Sequence, residues 1–282
     1  MARPYSEEER RKGRQLISDI WFDHGGLSAE DREKFRKNPS ERSHLRQIQS
    51  LKQSVSAVTK RLVEDLYSKD TRFVYELIQN AEDNSYERAA SQGHSPSLKF
   101  SLYPGKLVID TNEDGFSEDD IKAICSASKT TKTRLIGYIG EKGIGFKSVF
   151  KVAKKVHIQS EPYSFSFSYS HGSEDAEDGI GMITPIQEEY YELPGNVQTR
   201  FTLTLIAQSD FNKRAEDLRS IPDSLLLFLT KLRKLKLKIR DSSEGVTEVI
   251  YSYRRDAEQG LDIIVREELT NGELDSEPMA FR

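Results

Sequence analysis

Between residues 76 and 84 the chain places Glu76, Asn80, Asp83 and Asn84. If the segment is helical, that spacing gathers two carboxylates and two amides on one face. A carboxylate held there can orient a water. An amide oxygen one turn further on suits Mg²⁺, which takes oxygen ligands and keeps several of its waters. A second group lies in Val108-Ile-Asp110-Thr-Asn112-Glu113-Asp114-Gly115-Phe116, where an apolar run ends in a polar cluster and a glycine. A carboxylate at such a strand end can accept the exocyclic amine of adenine. A third is Tyr138-Ile-Gly140-Glu-Lys142-Gly143-Ile144-Gly145-Phe146-Lys147-Ser148. Backbone N–H groups near a helix start bind anions, and glycine lets a phosphate approach closely. Each group alone has a plainer explanation: a solvated helix face, a turn after a strand, a tight loop. Together, in this order, they are the parts a nucleotide site needs.

The elements that must hold these groups can be read from periodicity. Residues up to about 60 are polar, with Leu45, Ile48, Leu51, Val55 and Val58 at helical spacing. They predict amphipathic helices packed on a neighbour. Ser68-Lys-Asp70 reads as a helix break, and a helix from Phe73 to about Arg88 carries the first polar stripe. LKFSLY (98–103) and KLVID (106–110) flank Pro104-Gly105 and read as two strands and a turn. Ser117 can start a helix through Ile121 and Ile124. The small, basic run 126–134 suits a mobile segment, and the glycine stretch leads into a helix to about Val152. Strands follow over VHIQS, 163–170 and 198–206. A helix is expected from Ser220 to about Leu232, then a strand KLKLKIR (234–240) and two tail strands that could form a hairpin. The order suits an α/β (α+β) two-layer sandwich better than regular βα alternation. The expected division is a helical extension over 1–60, the main domain over 61–245, and a strand segment over 246–282 that could begin a further domain.

Composition narrows the function classes. Of 282 residues, 36% are hydrophobic and 31% charged, which describes a soluble globular chain. The net charge of −4 gives no global field for nucleic acid, so nucleic acid is not indicated. The N-terminus is charged and lacks the apolar core of a secretory signal, and no run could span a bilayer. A cytoplasmic or nuclear setting is expected. Cys125, the one cysteine, rules out an internal disulfide and a cysteine zinc cluster. It reads as a buried thiol, and the five histidines have no ligand spacing.

At this point the sequence resembles the GHKL, or Bergerat-fold, ATPase superfamily, which includes the ninety-kilodalton heat-shock chaperone, DNA gyrase B and MutL. Phe73-Val-Tyr-Glu76-Leu-Ile-Gln-Asn80-Ala-Glu-Asp83 matches its asparagine box, Gly140 to Ser148 its second glycine box, and Gln198-Thr199-Arg-Phe-Thr-Leu its late strand. ELIQNAEDN, TNEDGFSEDDIKAIC, SKTTK and GYIGEKGIGFKSVFKV resemble most closely the sacsin and NO VEIN group. The resemblance covers roughly 50 to 240. It implies a mixed, largely antiparallel sheet with helices on one face, holding ATP and Mg²⁺. Glu76 would be the general base and Asn80 the Mg²⁺ ligand, with Asp83 or Asn84 making second contacts. Ser128, Lys129 and Thr130 would face the phosphates from a lid, and the loop Gly140, Lys142, Gly143, Ile144, Gly145, Phe146, Lys147 would wrap them. Thr199 would support the adenine-binding carboxylate. Asn112, Gly115 and Phe116 belong to the same first glycine box.

One departure stands out. The family pattern is D-x-G-x-G, and counting back from Gly115 puts the expected carboxylate on Thr111. Strand-end geometry favours Asp110 as the substitute, with Glu113 the alternative. The resemblance implies slow ATP hydrolysis, ATP and ADP as ligands, and a homodimer on ATP binding, with the client or partner protein open. Other classes stay in view. One is a non-hydrolysing ATP-dependent switch or interaction module of a larger chaperone-like protein. Another is a phosphotransfer domain, for which no phosphoacceptor helix is visible. The lysines of KLKLKIR read as a solvated strand face, with a basic patch for an acidic partner the second reading.

Overall fold

The computed structural model describes residues 5–66, 72–126, 145–169, 181–206, 211–242, 245–256 and 259–281, without the side chains of 39–41, 56 and 59–66. The helices are α1 (Glu7–Asp23), α2 (Ala29–Lys37), α3 (Pro39–Leu66), α4 (Arg72–Asp83), α5 (Glu87–Ser91), α6 (Glu118–Ile124) and α7 (Phe211–Arg219). The strands are β1 (Ser97–Tyr103), β2 (Lys106–Thr111), β3 (Ala153–Ser160), β4 (Tyr163–Ser168), β5 (Ile186–Gln187), β6 (Thr199–Leu205), β7 (Lys234–Arg240), β8 (Val246–Arg255), β9 (Asp262–Thr270), β10 (Glu273–Leu274) and β11 (Met279–Phe281).

Among the described residues the strands form one 11-stranded sheet in the order β10-β9-β8-β7-β1-β2-β6-β3-β4-β5, with β11 on β9. β1 and β7 run parallel, and the other pairings are antiparallel. The fold is thus the α/β sandwich with a mixed, largely antiparallel sheet that the sequence predicts. Side chains alternate across a strand, so one residue in two faces the helices. On that side Phe100, Leu107, Ile158, Phe165 and Leu203 are fully buried, with Leu237 nearly so. The aromatic alternation at 163–169 buries Phe165 and Phe167 with their rings edge-to-face, 5.5 Å apart.

The first helix begins with a capping box. Glu9 N donates to Ser6 Oγ at 3.2 Å and Ser6 N to Glu9 Oε2 at 2.6 Å, which satisfies two orphan donors. α1 packs on β4 and β5, and α3 reaches the 3₁₀ turn Gly145–Lys151. A Cβ at Gly13 would stand 3.0 Å from Pro162 O, so the missing side chain lets α1 approach the β3–β4 turn. Arg10 fastens the same contact through Glu161 at 2.7 Å.

Three local expectations are corrected. The helix expected over 73–88 is two helices, because α4 stops at Asp83 and the Asp114 carboxylate caps a new start. It accepts from Glu87 N at 2.9 Å and Arg88 N at 2.8 Å. The helix expected after the glycines is a 3₁₀ turn, Gly145–Lys151. The helix expected over 220–232 is a shorter 3₁₀ turn, Leu225–Phe228, with Pro222 before it. The Glu82 carboxylate takes the N–H groups of Thr230, Lys231 and Leu232, which a helix would have used internally. The helix of this region is instead α7, whose pattern was missed between masking polar residues. In the tail, the two strand-like runs are β8 and β9, antiparallel, and β7–β8 pairing carries the same sheet into them. Ser68-Lys-Asp70 and the run 127–134 lie outside the described residues.

Candidate functional site

A cleft opens between the sheet and helices α4 and α6. Its walls come from Leu77, Asn80 and Ala81 on α4 with Asn84 just past its end, and from Leu98, Ile109, Thr111 and Phe201 on the sheet. Phe116, Asp120, Ala123, Ile124 and Phe146 close the remaining sides. Its cavity volume is about 50 Å³, and its lining is mainly apolar. That apolar lining with a few polar groups is the character of a small-molecule site.

α4 positions the polar stripe. Phe73, Val74, Leu77, Ile78 and Ala81 are buried, which leaves Glu76, Asn80 and Asn84 half-buried along one side. Asn80 and Asn84 line the cleft. Glu76 lies one turn before Asn80, beside the start of the 3₁₀ turn. A Cβ at Gly145 would collide with Glu76 Oε2 and sit 3.2 Å from its Cδ, so any side chain there would push the Glu76 carboxylate aside. Arg72 Nε donates to the other oxygen, Oε1, at 3.2 Å. Asp83 is buried at the end of the helix and does not line the cleft.

Glu82, which the sequence reading passed over, anchors this helix. Its carboxylate accepts from Thr230 N at 2.6 Å, Thr230 Oγ1 at 2.7 Å, Lys231 N at 2.8 Å and Leu232 N at 2.9 Å. Burial alone would raise its pKa, but these donors outweigh burial and hold it below the ordinary carboxylate value. Lys231 Nζ in turn donates to the carbonyls of Asp83 at 3.1 Å and Asn84 at 2.9 Å, capping the C-terminal end of α4. Glu82 sits off the polar stripe, among apolar neighbours. That placement was the available signal that it points inward.

At the strand end the structure separates the candidates. Ile109 and Thr111 face the cleft, so Asp110 faces the opposite side of the sheet. There it pairs with Arg200 on β6, Nε at 2.6 Å and Nη2 at 2.9 Å. The choice of Asp110 for adenine is therefore not what the geometry offers: the strand pleat turns it away and a bidentate arginine holds it. Thr111 occupies the cleft position. Its hydroxyl lies 3.4 Å from the Tyr86 hydroxyl, which also lies 2.8 Å from Ala81 O as a donor. Asn112 bonds Ser97 N at 2.8 Å and Ser95 O at 2.9 Å, tying the start of β1 to the end of β2. Glu113 is buried and is not among the residues lining the cleft.

Gly115 adopts φ +93°, a left-handed conformation that favours glycine. It turns the chain so that Phe116 covers the cleft. Phe116 N donates to Ser160 Oγ at 2.8 Å, and Ser160 Oγ lies 2.7 Å from Thr199 Oγ1. Thr199, fully buried and in register with Thr111, spends its hydroxyl on this chain of bonds. Phe116 and Phe146 both stack near Phe201, with ring centres 6.1 and 5.8 Å apart.

Lys147 departs from its expected role. Its side chain is 3% exposed and its ammonium donates to Ile124 O at the end of α6. Burial lowers its pKa to about 8 and raises that of nearby Cys125 to about 12. Lys147 thus ties the glycine turn to α6 and does not line the cleft. Ser128, Lys129, Thr130, Gly140, Lys142, Gly143 and Ile144 lie outside the described residues. Among the described residues no group of three His, Cys, Asp or Glu side chains could hold a metal, and no helix is long and apolar enough to cross a membrane.

Comparison with known proteins bears on the same residues. The family model of the Sacsin domain matches residues 52–165. The protein NO VEIN of Arabidopsis thaliana is 42% identical over 124 residues, 44% of this chain and 4% of the relative's length. The Sacsin-domain match covers α4, the strand end and the glycine-rich run.

Proposed function

We propose that this cleft binds ATP with Mg²⁺ and that the chain hydrolyses ATP slowly. The observation that carries this reading is the convergence on α4. Asn80 and Asn84 line an apolar cleft, and one turn away Glu76 packs against a glycine whose Cβ would displace it. In this reading the base lies between Phe116, Phe201 and Ile109. The glycine-rich run ending at Gly145 cradles the phosphates, and the run at 128–130 covers them. Asn80 is the protein ligand to Mg²⁺, whose chemistry is to neutralise phosphate charge during transfer. Glu76 orients and deprotonates the attacking water. ATP-driven pairing of two copies belongs to the same reading.

The test is calorimetric titration of ADP and a non-hydrolysable ATP analogue, with and without Mg²⁺, on wild type and Asn80→Ala. Binding that needs Mg²⁺ and is lost in Asn80→Ala supports the reading. A folded wild type that binds neither nucleotide refutes it. One observation favours a second reading, a nucleotide switch without turnover: Arg72 already pairs with Glu76 at 3.2 Å. Wild type that binds ATP, yet releases no more phosphate than Glu76→Ala, would select the switch.

A further inference from the structure

The sheet face turned away from the helices carries a charge opposite to that of the chain. Every second residue of β7 points there: Lys234, Lys236, Lys238 and Arg240, while Leu235, Leu237 and Ile239 enter the core. The parallel strand β1 sets Lys99 beside Lys236. Against these five cations β8 offers Glu248 alone, and it serves Lys236 at 2.5 Å and Lys238 at 2.8 Å together. Asp110, the neighbouring carboxylate on β2, is held by Arg200. Lys99, Lys234 and Arg240 have no ion pair among the described residues. Burial lowers the Lys99 pKa; Asp110 opposes that shift, and Lys236 and Lys238 add to it. A local excess of positive charge therefore sits on a chain of net charge −4.

The next two strands change character on the same face. Ile250 lies opposite Lys236, and β9 adds Ile263, Val265 and Leu269, all half-buried. A basic stripe and an aliphatic stripe thus run side by side over β1, β7, β8 and β9.

We propose that this face is a docking surface for an acidic, amphipathic polypeptide segment, with its carboxylates over β1 and β7 and its apolar side chains over β8 and β9. Charge complementarity selects an anionic partner. The aliphatic stripe selects a polypeptide over a phosphate backbone, which would use the cations alone.

The test uses the whole chain and fluorescence anisotropy. The probes are a short labelled peptide of alternating Glu and Leu, a Glu and Ser peptide of equal length, and a single-stranded DNA. The Glu/Leu peptide should bind best. Lys234→Glu/Arg240→Glu, at exposed positions, should weaken it about tenfold or more, and added salt should weaken wild-type binding. Ile250→Ser should weaken the Glu/Leu peptide without changing the Glu/Ser peptide. Lys99→Met gives a second charge variant should the first fail to fold. The proposal is overturned if wild type ignores the Glu/Leu peptide, or if the folded charge variants bind it as wild type does. Equal or tighter binding of the Glu/Ser peptide or the DNA also overturns it.

Discussion

Gly145 and Glu76 are neighbours: the volume a methyl group at 145 would need is occupied by the Glu76 carboxylate. Gly145→Ala should push that carboxylate aside. A displacement of this kind costs on the order of 10²-fold in a positioned reaction. ATP turnover should fall by about that factor, while thermal stability changes little. In a Glu76→Ala background the same substitution should have no further effect on turnover, because the two act as one unit. Phosphate-release assays on the single and double variants would check this, and additive losses would contradict it.

Glu82 holds the C-terminal end of α4 to the entry of β7. Glu82→Ala removes a carboxylate that serves four donors and leaves the buried Leu232 N–H without its acceptor, which should cost about 1–3 kcal/mol. Urea melts measure it. The sign with pH follows from its lowered pKa. The stabilisation is complete above the unfolded carboxylate value and is lost as pH falls through the lower folded value. Glu82→Gln should therefore flatten part of the acid limb of the stability curve.

Lys147 has the opposite sign. Its pKa falls from 10.5 in the unfolded chain to about 8 when folded. Below the folded value its charge is buried at a cost, and that cost disappears as pH rises towards 10.5. Lys147→Met should stabilise the fold near pH 7 by at most about 3 kcal/mol, less what the bond to Ile124 O contributes. The difference from wild type should shrink as pH rises from 8 to 10.5. Thermal melts across that range decide it, and a constant difference would refute it.

Thr111, not a carboxylate, faces the cleft at the strand end. Asp120, the carboxylate lining the cleft among the described residues, is held by Ser117 N at 3.0 Å and Ser117 Oγ at 2.7 Å. Contacts to the base are then largely apolar, and such walls discriminate weakly, by about 10–200-fold at most. Competition titrations should find ATP and GTP within about 200-fold of each other. A preference for ATP far beyond that would show that another group reads the amine.

Several features were legible in the residue order alone. Alternation marked β3, β4 and β7, because a sheet with one face on the core must repeat every second residue, and strand-like runs flanking Pro104-Gly105 marked β1 and β2. Ser117 marked the start of α6, since its hydroxyl accepts from Asp120 N at 3.2 Å, a bond within a single turn. The spacing of Glu76, Asn80 and Asn84 placed them together because helix geometry is local. What the tertiary structure decided are relationships between distant segments. Asp110 and Arg200 meet only through the register of β2 on β6, ninety positions apart, and that register turned Asp110 from the cleft. Glu82 ends α4 and stops a helix after residue 220 because its carboxylate reaches backbone 148 to 150 positions away. Lys147 turned inward because the end of α6 offered it a carbonyl in the core. Local pattern sets which face a side chain takes; only the assembled sheet and helices decide what that face meets.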